Sequence, residues 1–257
     1  MKALSVLFFT LFTSITHGVE GELKFATQDF GPFHYESDSG PKGPIVDIVL
    51  RACELMETKC SVTLYPWRRA LMLAERAKVD GLFVLGRNRS REAWLHFTLP
   101  IARTEYGFFV PFQDNKEYSE LLDFSGYRVA VFGPSNTSRS LENVAQLVGE
   151  MTIEMGADDI EGFKKLNVRR VQAVYSNRSV GDYIIAKNQL TGVRFAYTHR
   201  VLDYYVGFPK LSTSREVVDK FNDALLYIYY NGEIHSILIS HGLTPSNLRD
   251  YKSLLEE

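Results

Sequence analysis

From residue 23 onward, apolar positions switch between short continuous runs and a helical spacing. Leu23 to Thr27 reads as a strand, and Gln28 to Pro44 as a loop punctuated by Gly31-Pro32, Gly40-Pro41 and Gly43-Pro44. Between Pro44 and Met56, Ile45, Ile48, Val49, Ala52 and Leu55 or Met56 follow the three-and-four spacing of a helix. Ser61 to Tyr65 reads as a second strand, and Trp67, Ala70, Leu71 and Ala74 mark a second helix. Gly81 to Leu85 is apolar throughout, as expected of a strand covered on both faces in a parallel sheet. This alternation predicts a parallel sheet with right-handed crossovers.

The texture breaks after Phe108-Phe109-Val110-Pro111, where Gln113 to Glu120 is polar and charged. A second α/β unit then begins. Strands are expected at Tyr127 to Phe132, Thr152 to Glu154, Val171 to Tyr175 and Val193 to Tyr197. Helices are expected at Ser138 to Val148, Asp159 to Leu166 and Val180 to Asn188. Only the pattern recurs between the units, not the sequence. The tail adds a short strand, Tyr204 to Phe208, and a helical face of Val217, Val218, Phe221, Ala224, Leu225 and Ile228. Another face, Ile234, Ile237 and Leu238, ends at Gly242, a helix-stop residue.

Residues 1–18 have a different layout. Met1-Lys2 is positive, Ala3 to Ile15 is uncharged and mostly apolar, and Thr16-His17-Gly18 closes the run. This is the arrangement of a secretory signal peptide, and it is too short for the roughly 20 apolar residues of a spanning helix. A soluble, exported mature protein is expected, in the periplasm. In an oxidising compartment the two cysteines, Cys53 and Cys60, are expected to pair as a local staple; the alternative is two buried free thiols.

Composition narrows the functional classes. The 257 residues are 45% hydrophobic and 23% charged, with formal net charge −2, an ordinary globular balance. Nucleic-acid binding is not expected, because phosphate contacts need a basic excess.

Several motifs, in order, resemble the periplasmic solute-binding proteins of the polar amino acid uptake type, bacterial family 3. They are Ala26 to Phe33 (A-T-Q-D-F-G-P-F), Gly43 to Asp47, Val79 to Phe83 (V-D-G-L-F), Arg91 to Pro100 (R-E-A-W-L-H-F-T-L-P), Gly126 to Val131 and Ala224 to Ile237. The resemblance covers about Glu22 to Leu243. It implies an α/β, two-lobed periplasmic binding protein fold of type II. Each lobe is then a mostly parallel sheet flanked by helices, with two hinge crossovers. Lobe 1 is expected at 22–109 and 204–257, and lobe 2 at 112–202. Some family members carry a disulfide with the spacing of Cys53 and Cys60.

The resemblance also implies a cleft that closes on a small carboxylate-bearing ligand. Arg91 matches the family's carboxylate-clamping arginine, and Arg87 lies in the same basic cluster. Ser135, Asn136 and Thr137 start a helix and offer N–H groups and hydroxyls to an anion. Gln28, Asp29, Phe30 and Trp67 are expected on the walls, with Phe33 in the core. The family's ammonium-binding aspartate is replaced by Asn177, and Asp29 or Asp182 is expected to supply the missing charge unless the ligand lacks an α-amine.

The implied role is capture of an amino acid or related metabolite by a monomer that delivers it to an inner-membrane ABC permease. A ligand sensor serving a separate receptor is an alternative, since no further domain follows the tail. A dehydratase-like enzyme is a weaker one: Asp29, Asp182 and His34 are its general-acid candidates and form no acid–base pair. No metal spacing, catalytic triad, dinucleotide fingerprint or phosphate loop stands out, so neither cofactor nor metal is expected. Asp158-Asp159 and Glu256-Glu257 read as solvated charges, and the sequons at Asn88, Asn136 and Asn177 as chance matches.

Overall fold

The computed structural model describes residues 21–248. The expected signal peptide, the last residues of lobe 1 and Glu256-Glu257 lie outside them. No helix among the described residues is long and apolar enough to cross a membrane.

The first α/β unit runs β1 (Leu23–Thr27), a small hairpin of β2 (Tyr35–Ser37) and β3 (Gly40–Lys42), α1 (Pro44–Leu55), β4 (Cys60–Leu64), α2 (Trp67–Glu75) and β5 (Gly81–Gly86). Helix α1 starts where Gly43 takes φ +121°, and a Cβ there would stand 2.7 Å from the His34 Cα. Pro44 follows at N1, where no amide proton is needed. Ile45, Ile48, Val49 and Ala52 are fully buried along one stripe. Cys53, near the end of α1, is bonded to Cys60 at the start of β4. All six residues of β5 are buried, as its continuous apolar run requires.

A short helix α3 (Arg89–Glu92), β6 (Leu95–Phe97) and the long strand β7 (Ala102–Pro111) lead to the second unit. That unit comprises β8 (Arg128–Phe132), α4 (Asn136–Val148), β9 (Thr152–Gly156), α5 (Asp159–Asn167), β10 (Ala173–Asn177) and α6 (Arg178–Lys187). Strand β11 (Val193–Pro209), helices α7 (Arg215–Tyr230) and α8 (Glu233–Ser240), and β12 (Thr244–Pro245) complete the chain.

The expected pair of sheets is joined into one ten-stranded sheet, ordered β4-β1-β5-β11-β7-β10-β8-β9, with β6 beside β11 and β12 beside β7. The joint is a correction to the sequence reading, which expects separate strands at Val193 to Tyr197 and Tyr204 to Phe208. They are one 17-residue strand, β11, antiparallel to β7 from Val193 to Tyr204. The outer trios β4-β1-β5 and β10-β8-β9 are parallel. β5 joins the middle at Tyr204–Gly207 of β11, and β10 joins it at Tyr106–Phe109 of β7. The architecture is a mixed α/β fold, a large sheet with parallel outer trios flanked by helices, as the resemblance implies.

Candidate functional site

The carboxyl ends of both parallel trios face a common cleft, the place where open α/β sheets collect ligands. Its walls follow from the topology. Gln28 to Gly31 follow β1, Leu64 to Trp67 run from the end of β4 into α2, and Gly86 ends β5. Phe132 to Thr137 follow β8, and Ala157 to Ile160 follow β9. An inner cavity of ≈ 30 Å³ contains Gln28, Phe30, Trp67, Arg91, Ser135, Asn136 and Thr137, seven of the sequence candidates, on its wall. A water needs about 10–15 Å³ of such space, so a group of carboxylate size fits there. An outer cavity of ≈ 430 Å³ shares Gln28, Phe30, Trp67 and Phe132 with it and adds Asp29.

Arg91 is 7% exposed. Its Nη1 donates to the Gly86 carbonyl at 2.8 Å, and its guanidinium lies 5.5 Å from the Trp67 ring centre. Among the described residues no carboxylate lies within ion-pairing distance of it, and Glu75 attracts it only from farther off. Burial lowers its pKa from the ordinary value, yet an arginine remains cationic in proteins. A buried charge without a counter-ion is costly, so this side chain calls for an anion.

The α4 N-terminus stands beside it. Ser135 caps the helix reciprocally with Ser138: its hydroxyl accepts from the Ser138 amide, and the Ser138 hydroxyl accepts from the Ser135 amide. Ser135 is thereby committed to the cap, while the amides of Asn136 and Thr137 find no acceptor among the described residues. Such amides carry the positive end of the helix dipole.

Asn177 is placed differently from the sequence expectation. It is 1% exposed and lies behind the cavity wall. Its oxygen accepts from the Val180 amide as the α6 cap, and its nitrogen donates to the Thr104 and Tyr204 hydroxyls at 2.8 and 2.9 Å. Both donors and one acceptor are therefore used within the fold. Tyr204 in turn donates to the Tyr106 hydroxyl at 3.5 Å, and Asn136 donates to it at 3.4 Å. Tyr106 thus accepts from two neighbours, and its own proton has no acceptor among the described residues. Neither Tyr106 nor Tyr204 stands out in the sequence: Tyr106 falls in no expected element, and Tyr204 only opens a short expected strand.

Arg87 is not brought to the cleft. It is exposed, pairs with Glu92 and faces a separate surface hollow with His96 and Lys210. The reason is that β5 ends at Gly86, and the chain turns outward before α3 brings Arg91 back. Asp182 is exposed on α6 near Arg178 and lines neither cavity. His34 is fully buried, its Nε2 bonded to Thr27 at 2.8 Å, and burial lowers its pKa to about 3. It is a neutral core residue, not an acid at the cleft.

Asp158 is exposed, as expected of a solvated charge, whereas Asp159 corrects that reading. Asp158 caps α5, accepting from the Glu161 amide. Asp159 is partly buried on the outer cavity wall, accepts from the Ser176 hydroxyl at 3.0 Å, and has its carboxyl pushed up to about 6 by burial. Their position after a strand and before a helix, like Ser135 to Thr137, was the available signal. No cluster of three or more His, Cys, Asp or Glu among the described residues is arranged to hold a metal.

The family model of bacterial extracellular solute-binding proteins, family 3, matches residues 23–242. No curated protein sequence matches the chain. Among solved structures, a histidine kinase sensor domain with similarity to periplasmic binding proteins has a TM-score of 0.79 at 18% identity, covering 88% of this chain and 98% of its own. An ancestral arginine-binding protein bound to arginine has a TM-score of 0.76 at 20% identity, covering 86% and 97%. The amino acid ABC transporter substrate-binding protein AbpA from Streptococcus pneumoniae, bound to L-arginine, has 0.75 at 16%, covering 87% and 95%. These likenesses are of fold. The family match spans the strands, the cleft and Arg91 together, and the chain belongs to the bacterial extracellular solute-binding proteins, family 3.

Proposed function

We propose that this chain is an exported solute-binding protein that captures a small carboxylate-bearing ligand, an amino acid or related metabolite, between two lobes. The observation that carries this reading is the buried Arg91 guanidinium without a counter-ion at a cavity of carboxylate size. The ligand carboxylate takes two hydrogen bonds from Arg91 and further ones from the Asn136 and Thr137 amides. Lobe 1 is residues 22–109 and 204–257, and lobe 2 is 112–202, with β7 and β11 as the crossovers. Residues 1–18 direct export to the periplasm, and the mature monomer hands its ligand to an inner-membrane ABC permease. The arginine-bound transporter protein of like fold supports that delivery route. The sensor domain of like fold supports the alternative of a separate receptor. Binding without turnover is the simpler chemistry, because Asp29, Asp182 and His34 are not gathered around one reacting atom.

The test is ligand-induced thermal stabilisation against amino acids and amine-free carboxylates. Saturation at 100 times Kd adds about 2.7 kcal/mol, a melting shift of roughly 5–10 °C at this size. A shift that Arg91→Met abolishes supports the reading. No shift from any carboxylate overturns it.

A further inference from the structure

The two parts of the cleft make opposite electrostatic demands. Arg91 brings a full positive charge to the inner cavity, and the Asn136 and Thr137 amides at the α4 N-terminus add donors beside it. No carboxylate lines it. A ligand ammonium on the carbon next to the carboxylate would find no carboxylate there to neutralise it, and Asn177, uncharged and behind the wall with its oxygen capping α6, does not line the cavity.

The outer cavity carries Asp29, Glu36, Asp158 and Asp159 against one cation, Lys187, which stacks over the Tyr183 ring at 5.3 Å. Asp159 has no cation within ion-pairing distance among the described residues, and burial raises its carboxyl to about 6. Phe30 also stands on this wall and favours a cation near its face, while the Tyr65, Trp67 and Tyr183 rings already lie against Arg69, Arg91 and Lys187. On the opposite side of Arg91, a hollow of ≈ 270 Å³ is basic, with Arg68, Arg91 and Arg139 against Glu75. The field therefore runs one way along the cleft, from positive at Arg91 to negative at Asp159. Arg91, more than nine-tenths buried and lacking a counter-ion, fixes which end holds the anion.

We propose that the ligand carries its positive charge several bonds from its carboxylate, as in ω-amino or guanidino acids, with the carboxylate on Arg91 and the cation against Asp159. This rests on the reading of the inner cavity as a carboxylate site and names the ligand class that site takes.

The experiment is calorimetric titration of the protein and its Asp159→Asn variant. The probes are 4-aminobutanoate, 5-aminopentanoate, 6-aminohexanoate, pentanoate, norvaline and glutarate. The amide oxygen introduced by Asp159→Asn still accepts from Ser176, and melting of the unliganded variant confirms that it folds. The expected result is that the best ω-amino acid binds about ten-fold or more tightly than pentanoate and norvaline. Asp159→Asn removes most of that advantage and leaves pentanoate unchanged. Norvaline binding as tightly as the ω series overturns the proposal by placing the cation beside the carboxylate. Glutarate binding most tightly overturns it in favour of a second acid group in the Arg68–Arg139 hollow. Equal binding of all carboxylates, or an advantage that survives Asp159→Asn, overturns it while leaving the carboxylate site intact. No binding by any of the six overturns the carboxylate site and this proposal together.

Discussion

Arg91 and Asp159 are both withdrawn from bulk water at the same cleft, and they respond in opposite ways. Burial lowers the guanidinium pKa, but from a value so high that the group stays charged. Burial raises the carboxyl to about 6, so this group sheds its charge within an accessible pH range. The inner end of the cleft is thus under electrostatic stress at every working pH until an anion arrives. The outer end relieves its stress by taking up a proton. A ligand that satisfies both ends supplies an anion to one and displaces a proton from the other.

The largest expected effect follows from the arginine. Arg91→Met keeps volume and removes the charge, and carboxylate affinity should fall by about 3–5 kcal/mol, a factor of several hundred or more. The unliganded variant should melt at the same temperature or a few degrees higher, since an unpaired buried charge has gone. A variant that binds carboxylates normally would show that the anion sits elsewhere.

His34 provides a buried base with no ligand role, against which the cleft groups can be judged. Its folded pKa of about 3 lies below the unfolded 6.5. The stability of the neutral form is therefore complete above about 6.5 and is lost as pH falls toward 3, by roughly 4–5 kcal/mol. His34→Phe should flatten that acid limb in denaturant melts without changing carboxylate affinity at pH 7. An unchanged limb would mean that other groups drive acid unfolding.

The staple belongs to the half that supplies Arg91. Closing the short loop between Cys53 and Cys60 is worth about 2.5 kcal/mol on the chain-entropy account. Reduction should lower the melting temperature by roughly 5–10 °C. Hydrogen exchange should quicken first in α1 and β4, before β8 to β10. Uniform quickening would show that the two halves unfold as one unit.

How the cleft was legible in the sequence depends on what each signal reports. Apolar periodicity reports burial, so β5, with all six residues covered, and the α1 stripe of Ile45, Ile48, Val49 and Ala52 could be read directly. The long β11 could not. Thr198 to Arg200 is polar, and register shifts between Phe195 and Tyr197 and between Thr198 and Arg200 break its alternation. Only pairing with β7 reveals the strand. Arg91 and the turn at Ser135 to Thr137 were visible as residue types in a pattern, whereas Arg87 shares the type and faces solvent. Asn177 was visible as a departure, but its partners Thr104 and Tyr204 lie 73 and 27 positions away. Asp159 resembled any acidic residue at a helix start, because the opposing wall that withdraws it from water comes from residues near Gln28 and Trp67.

Asp159 sharpens the comparison through pH. Its folded pKa lies above the unfolded carboxylate value, so its penalty is absent below about 3.8 and complete above about 6. Asp158 on its own helix, Asp29 and Glu36 across the cleft, and Lys187 from α6 are the charges sharing that wall. With partial exposure discounting the shift, Asp159→Asn should stabilise the unliganded protein at pH 7 by about 1–2 kcal/mol and by nothing at pH 3.5. The same titration should weaken binding of ω-amino acids as pH falls from 7 to 5 and leave pentanoate flat. A gain that is equal at both pH values would show that the effect is packing and not charge.

The smallest effect separates closure from contact at the arginine end. There the two halves are already bonded: Asn88 donates to Asn136 at 3.0 Å, and Arg139 donates to the Ser90 hydroxyl at 3.2 Å. The Ser90–Arg139 bond is exposed and lies outside the inner cavity, so it acts on the ligand only through the population of the closed cleft. Ser90→Ala removes a bond worth about 0.5 kcal/mol, and every carboxylate should weaken by about two-fold whether or not it carries a cation. That uniformity is the discriminating reading. A loss confined to ω-amino acids would mean that Ser90 acts on the acidic end of the cleft. A loss common to pentanoate and 5-aminopentanoate places closure at the arginine end, with the acidic end left to set which carboxylate is held.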